Sequence, residues 1–195
     1  LAVPTVTNPM HPRAGSFEGT LVAGLIPNDS YHVPLPVGVR LAAHLLDTVA
    51  IEGSFTYLLG DPSDLLDFLE HAGKSGLLQG VQKPPRMTML AAVDLVYSPF
   101  HGKVGIFASK LSSFDIALAI GAGLVGADID DSPETEDPVL AKLIPAGHWG
   151  ATLRFYITDW LCVRADYRQF VYVPQEDGAP LFPAEITGGL SILTN

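Results

Sequence analysis

Gly150 to Tyr172 reads GATLRFYITDWLCVRADYRQFVY, an apolar run into which Arg154, Arg164, Asp166 and Arg168 are set. On an α-helix, positions 164, 166 and 168 fan around the axis, whereas on a strand they share one face. Leu161, Val163, Ala165 and Tyr167 then form the opposite, apolar face. The segment reads as two strands joined by a tight turn at Thr158 to Trp160, with every charge on one side.

The same period of two recurs along the chain. Proline and glycine clusters cut it into eight alternating segments: 16–26, 37–46, 49–59, 87–97, 114–125, 148–157, 161–172 and 184–193. Alternation over such lengths is the strand signature. Ten charged residues fall in these segments: Glu18, Arg40, Glu52, Asp94, Asp115, Arg154, Arg164, Asp166, Arg168 and Glu185. Each lies on the polar face of its own segment. The connectors alternate between short (46–48, 158–160) and long (27–36, 60–86, 128–147, 173–183), the loop habit of an outer-membrane barrel. The exception is 98–113, SPFHGKVGIFASKLSS, which should be a short turn. Its apolar residues and its Lys103 and Lys110 predict a segment lying in the headgroup region.

Composition sets limits on function. The chain has 195 residues, of which 48% are hydrophobic and only 16% charged, against about 25% charged in an ordinary soluble domain. No apolar run reaches the roughly 18 residues of a spanning helix. A net charge of -10 argues against a nucleic-acid partner, which would want a basic stripe. The single cysteine, Cys162, excludes internal disulfides and cysteine-based metal clusters, and reads as a small buried residue. The first residues, LAVPTVTNPMHP, contain no signal-like succession of basic and apolar regions.

Alternation does not say which face is the interior. A soluble lipocalin-like barrel would place the apolar face inside, around a ligand; a membrane barrel would place it outside. All five lysines (Lys74, Lys83, Lys103, Lys110, Lys142) fall in connectors, while four of the six arginines fall in strands. A confined ion-pair network uses the planar guanidinium in this way. The other residues of the polar face are mostly Gly, Ala, Ser and Thr, which suit the narrow interior of eight strands. Six carboxylates and four guanidiniums, with His44 and His148, make that interior nearly neutral and predict a plugged lumen. A water-filled pore is the alternative. Phe17, Tyr97, Phe100, Phe114 and Trp160 are placed near one membrane interface, and Tyr31, Tyr57, Trp149 and Tyr172 near the other.

The successions SFEGTLVAGL, VRLAAHLLDTVAIEGSFTY, DLVYSPFHGKVGIF, SSFDIALAIGAGLV and GGLSIL, together with the opening stretch, resemble the outer-membrane β-barrel domain proteins of myxobacteria and related predatory bacteria. The likeness runs from about Ser16 onward. It implies a barrel similar to the small OmpA and OmpX types, a bacterial outer membrane and removal of an N-terminal signal. Two features depart from that pattern: GGLSILTN carries no terminal aromatic, and 128–143 is unusually acidic.

Other motifs are weak. Gly121 to Gly126 satisfies G-x-G-x-x-G but lies within a strand, and reads as close packing in a narrow lumen. The acidic run DIDDSPETED (128–137) lacks the order of a calcium loop and reads as solvated. DPSDLLDFLEHAGKSG reads as a short helix with Ser63 as candidate N-cap. Its Leu65, Leu66, Phe68 and Leu69 form an apolar side that either packs on the rim or meets a partner. His32, His71 and His148 with Asp29, Asp61 or Asp128 supply the ingredients of a rim His–Asp couple, but no catalytic set emerges.

The expected protein is therefore all-β: an eight-stranded antiparallel transmembrane β-barrel, an up-and-down meander of residues 16–195, after a periplasmic segment at 1–15. Its expected role is structural or anchoring within an envelope assembly such as a motility or secretion machine, without catalysis, cofactor or metal. Its expected partners are outer-membrane lipid and other envelope proteins, met through the long outer loops or the 98–113 segment.

Overall fold

Alternating residues with β-branched and aromatic side chains favour extended backbone, and eight such segments pair in sequence order. The computed structural model describes residues 13–29, 32–60, 86–106, 110–128, 141–174 and 179–194. Its strands are β1 (Phe17–Leu25), β2 (Leu35–His44), β3 (Val49–Leu59), β4 (Arg86–Ile106), β5 (Lys110–Asp128), β6 (Ala141–Tyr156), β7 (Leu161–Tyr172) and β8 (Ala184–Thr194). Each pairs antiparallel with the next, and β8 returns to β1 through Phe17↔Thr194 to Leu25↔Ile186. The sheet is a closed barrel, so hydrogen bonding along the wall leaves no seam.

The outward face is apolar and bare. Leu21, Leu41, Ile120 and Val93 are 62–70% exposed, the reverse of a water-soluble domain, where such residues form the core. The inward face holds the charges. The β2–β3 and β6–β7 turns, Arg13 and the end of β8 lie at one end of the barrel, the turn end; the long connections lie at the other, the loop end.

Close packing inside depends on glycine at particular positions. A Cβ on Gly121 would overlap the Val93 carbonyl and the Asp94 carboxylate, and one on Gly150 would overlap the Tyr167 carbonyl. Gly121 to Gly126 therefore belong to the wall of β5, where they admit neighbouring groups into a narrow space.

Three strands are longer than the sequence reading. Residues 98–106 and 110–113 are strand and not a connector: β4 continues to Ile106, β5 begins at Lys110, and the pairing Phe100↔Ile116 to Ile106↔Lys110 extends the β4–β5 ladder. A bulge hides this from the sequence. Ser98 and Pro99 together oppose Ala117, so the outward parity passes from Tyr97 to Phe100 and the alternation breaks although the strand does not. At the other end, β6 begins at Ala141, well before His148. Pro145 interrupts the pattern there, yet it pairs opposite Leu124. Lys103, Lys110 and Lys142 thus lie within strands, close to strand ends.

Tyr172 is also corrected. It is buried, not at an outer interface, because it shares parity with Arg168 and Phe170. Phe17, Tyr97, Phe100 and Trp160 at the turn end, and Tyr57 and Trp149 toward the loop end, are exposed as read. Tyr31 lies outside the described residues.

Candidate functional site: a filled ion-pair lumen

All ten charges of the eight alternating segments project into the lumen, and none is more than 2% exposed. Such burial is costly unless each charge is paired, and the register alone does not pair them. Glu52 sits opposite Asp94 on the β3–β4 ladder, and Arg154 opposite Arg164 on the β6–β7 ladder. Like charges so placed repel. Compensation comes from across the barrel.

Glu52 is the hub. Arg164 donates from Nη1 to Glu52 Oε2 at 2.9 Å, and Arg168 donates to Glu52 Oε1. Arg40 Nη1 and Arg154 Nη2 approach the same carboxylate to 3.8 and 4.0 Å. Arg164 also grips Asp166, with Nε to Oδ2 at 2.9 Å and Nη2 to Oδ1 at 2.7 Å, a bidentate pair. Thr152 Oγ1 donates to Asp166 Oδ1 at 2.6 Å.

Glu18 forms a second centre. His44 Nε2 lies 3.1 Å from Oε2, while Arg164 Nη1 and Arg154 Nε lie 3.3 and 3.4 Å from Oε1. Toward the loop end, Arg168 and His148 both pair with Asp94. Arg40 donates from Nη2 to Glu185 Oε2 and Thr187 Oγ1, each at 3.1 Å. His148 stacks on Phe170, with ring centroids 4.8 Å apart.

Both ends of the network are closed. Above it, Leu90, Met87, Val125, Ile144, Phe170 and Tyr172 form a buried apolar layer with Ile26 and Leu58. Sequence parity alone did not reveal this layer, because it occupies the same inward face as the charges.

At the turn end the stopper comes from outside the strands. The Arg13 guanidinium enters the lumen, pairs with Asp115 and donates to Tyr156 Oη at 2.7 Å. Asp47 Oδ1 in the β2–β3 turn accepts the backbone N–H of Arg13 at 2.8 Å and of Ala14 at 3.0 Å. These two backbone bonds hold the half-exposed Asp47 carboxyl below its usual pKa. Arg13 was missed because it precedes any periodic segment; its only signal was the surplus of lumen carboxylates over guanidiniums.

The rim His–Asp reading finds one partial match. His32 Nδ1 lies 3.8 Å from Asp29 Oδ1, a long contact, whereas His148 is in the lumen against Asp94 and not at the rim. His71 and Asp61 lie outside the described residues, as do the candidate partner residues Leu65, Leu66, Phe68 and Leu69. Cys162 is fully buried on the inward face beside Tyr156 and Leu193.

The filled barrel is similar in fold to the N-terminal β-barrel domain of Pseudomonas aeruginosa OprF, with a TM-score of 0.52 at 12% identity, covering 93% of this chain and 98% of that one. It also matches Ail, the attachment invasion locus protein of Yersinia pestis (TM-score 0.45, 12% identity, 93% and 99% covered). A further match is Neisserial surface protein A (TM-score 0.42, 7% identity, 91% and 94% covered). No family model matches the chain, and no curated protein does.

Proposed function

We propose that this chain is a sealed outer-membrane β-barrel that anchors an envelope assembly; the resemblance to myxobacterial barrel-domain proteins supports the location and the architecture. Outer-membrane residence follows from the apolar outer wall joined to a charged interior, on a barrel whose shorter strands run 9–12 residues, about what a tilted strand needs to cross. In this frame the turn end faces the periplasm. The role is mechanical and non-enzymatic.

The observation that carries the reading is the filled lumen. The charged side chains are 0–2% exposed and lie between the buried apolar layer toward the loop end and the Arg13–Asp115 pair at the turn end. This supports an anchor over a small pore, and the outward apolar face supports a membrane barrel over a lipocalin-like binder.

Two measurements test it. Protein extracted in detergent should change electrophoretic mobility on boiling and give no stable conductance in a planar bilayer; free solubility or steady open channels would refute the sealed barrel. Gentle detergent purification from the native source should retain envelope proteins in fixed ratio. Recovery of the barrel alone would refute the anchoring role.

A further inference from the structure

The wall of the barrel is seamless, but the β4–β5 hairpin runs past it. Pairing of β4 with β3 ends at Tyr97↔Val49, where Ser98 N still donates to Thr48 O at 2.8 Å. From Pro99 to Ile106, β4 keeps β5 on one side and, among the described residues, has no strand on the other. β5 loses β6 beyond Ser113↔Tyr156, so among the described residues the rungs from Val104↔Ser112 to Ile106↔Lys110 consist of two strands alone. An open edge presents main-chain donors and acceptors to another strand.

The chemistry of this edge selects its occupant. Residues 98–114 carry His101, Lys103 and Lys110 and no Asp or Glu, on a chain of net charge -10. His101, Lys103 and Phe100 are exposed. A second copy would bring like charges together, and Pro99 and Lys103 are the residues by which natural edges resist self-pairing. A strand of opposite charge is not repelled, and beyond Pro99 every residue to Ile106 has a backbone N–H to offer it.

We propose that the Pro99–Ile106 edge of β4 is a docking strand for an extended acidic segment of a periplasmic protein, which adds to the sheet by main-chain hydrogen bonding. This rests on the reading of the turn end as periplasmic. Work on the folded barrel in detergent keeps the two separable, since the mobility shift tests the membrane reading independently.

The probe is a fluorescein-labelled, end-capped octapeptide of alternating glutamate with valine or threonine, titrated into the full chain in detergent micelles. Its lysine-for-glutamate counterpart is the control. The acidic peptide should slow amide exchange at alternate residues of 99–106. It should bind at least about tenfold more tightly than the lysine peptide, and the Lys103→Glu, Lys110→Glu double variant should lose a similar factor. Should that variant lose its mobility shift, the two peptides on the unaltered chain still decide. Unchanged exchange at saturating peptide, or equal binding of both peptides, would overturn the proposal. So would edge amides already protected in the free chain, whether the protection vanishes on removing residues 1–12 or rises with barrel concentration.

Discussion

Glu52 and Arg164 join opposite walls of the barrel, with Nη1 2.9 Å from Oε2, although their ladder partners are Asp94 and Arg154. β3 and β7 stand four strands apart in a ring of eight. The pair therefore holds the cross-section itself, and each residue relieves the repulsion between the other and its ladder neighbour.

Replacing Arg164 by leucine takes a charged hydrogen-bond partner from Glu52, Asp166 and Glu18, all of them buried. Removing one member of a buried pair typically costs about 3 to 5 kcal/mol. Urea unfolding in micelles should show a loss of that order, and a neutral effect would count against the network.

Adding Glu52→Gln to Arg164→Leu removes the charge that the first change leaves unmatched. The double variant should be more stable than the sum of the two single losses by about 1 to 3 kcal/mol. Strict additivity would show that the two side chains are not coupled.

Cys162 lies on the inward face at 0% exposure. A maleimide should fail to label the folded barrel and should label it fully after boiling in SDS. Labelling of the folded form would place the thiol outside the packed lumen.

Gly121 has no space for a side chain. Gly121→Val forces its Cβ against the Val93 carbonyl and the Asp94 carboxylate and should abolish the form that resists SDS before heating, whereas Gly53→Ala, where no atom lies within 4 Å of an added Cβ, should retain it.

Asp47 ties the chain before β1 to the β2–β3 turn by accepting the N–H groups of Arg13 and Ala14. Its folded pKa lies below the unfolded value, about 3.9. The contribution is present above the unfolded pKa and is lost as pH falls through the folded one. Exchange at the Arg13 and Ala14 amides should accelerate as pH drops below that range, after correction for intrinsic rates. Asp47→Asn should remove the pH dependence.

The strand count, the closed meander and the inward set of ten charges were legible because lipid reverses the usual pattern and strand parity is strict. Arg154, Arg164, Asp166 and Arg168 had to share a face on any strand, whatever surrounded it. Pairing was not legible, because parity says which side a charge faces and not which wall it reaches; Glu52 to Arg164 spans 112 residues. Residues 98–106 and 110–113 read as a connector because Pro99 and the bulge shift the phase, and the start of β6 is hidden because Pro145 looks like an interruption. Tyr172 was misplaced by treating an aromatic near a strand end as interfacial, although its parity with Phe170 already turned it inward.

Closure between β1 and β8 has a further bearing on how such a chain enters a membrane. An open sheet inserted into lipid would expose Arg40, Arg154, Arg164 and Arg168 at a cost of about 2 to 4 kcal/mol each near the midplane. Insertion and ring closure are thus obliged to occur together, with the charged face kept wet until its counterions arrive from strands made much earlier or later in synthesis. Reopening between any two strands meets the same penalty in reverse, so the closed ring, once seated, is held by the height of its exit barrier as well as by its depth.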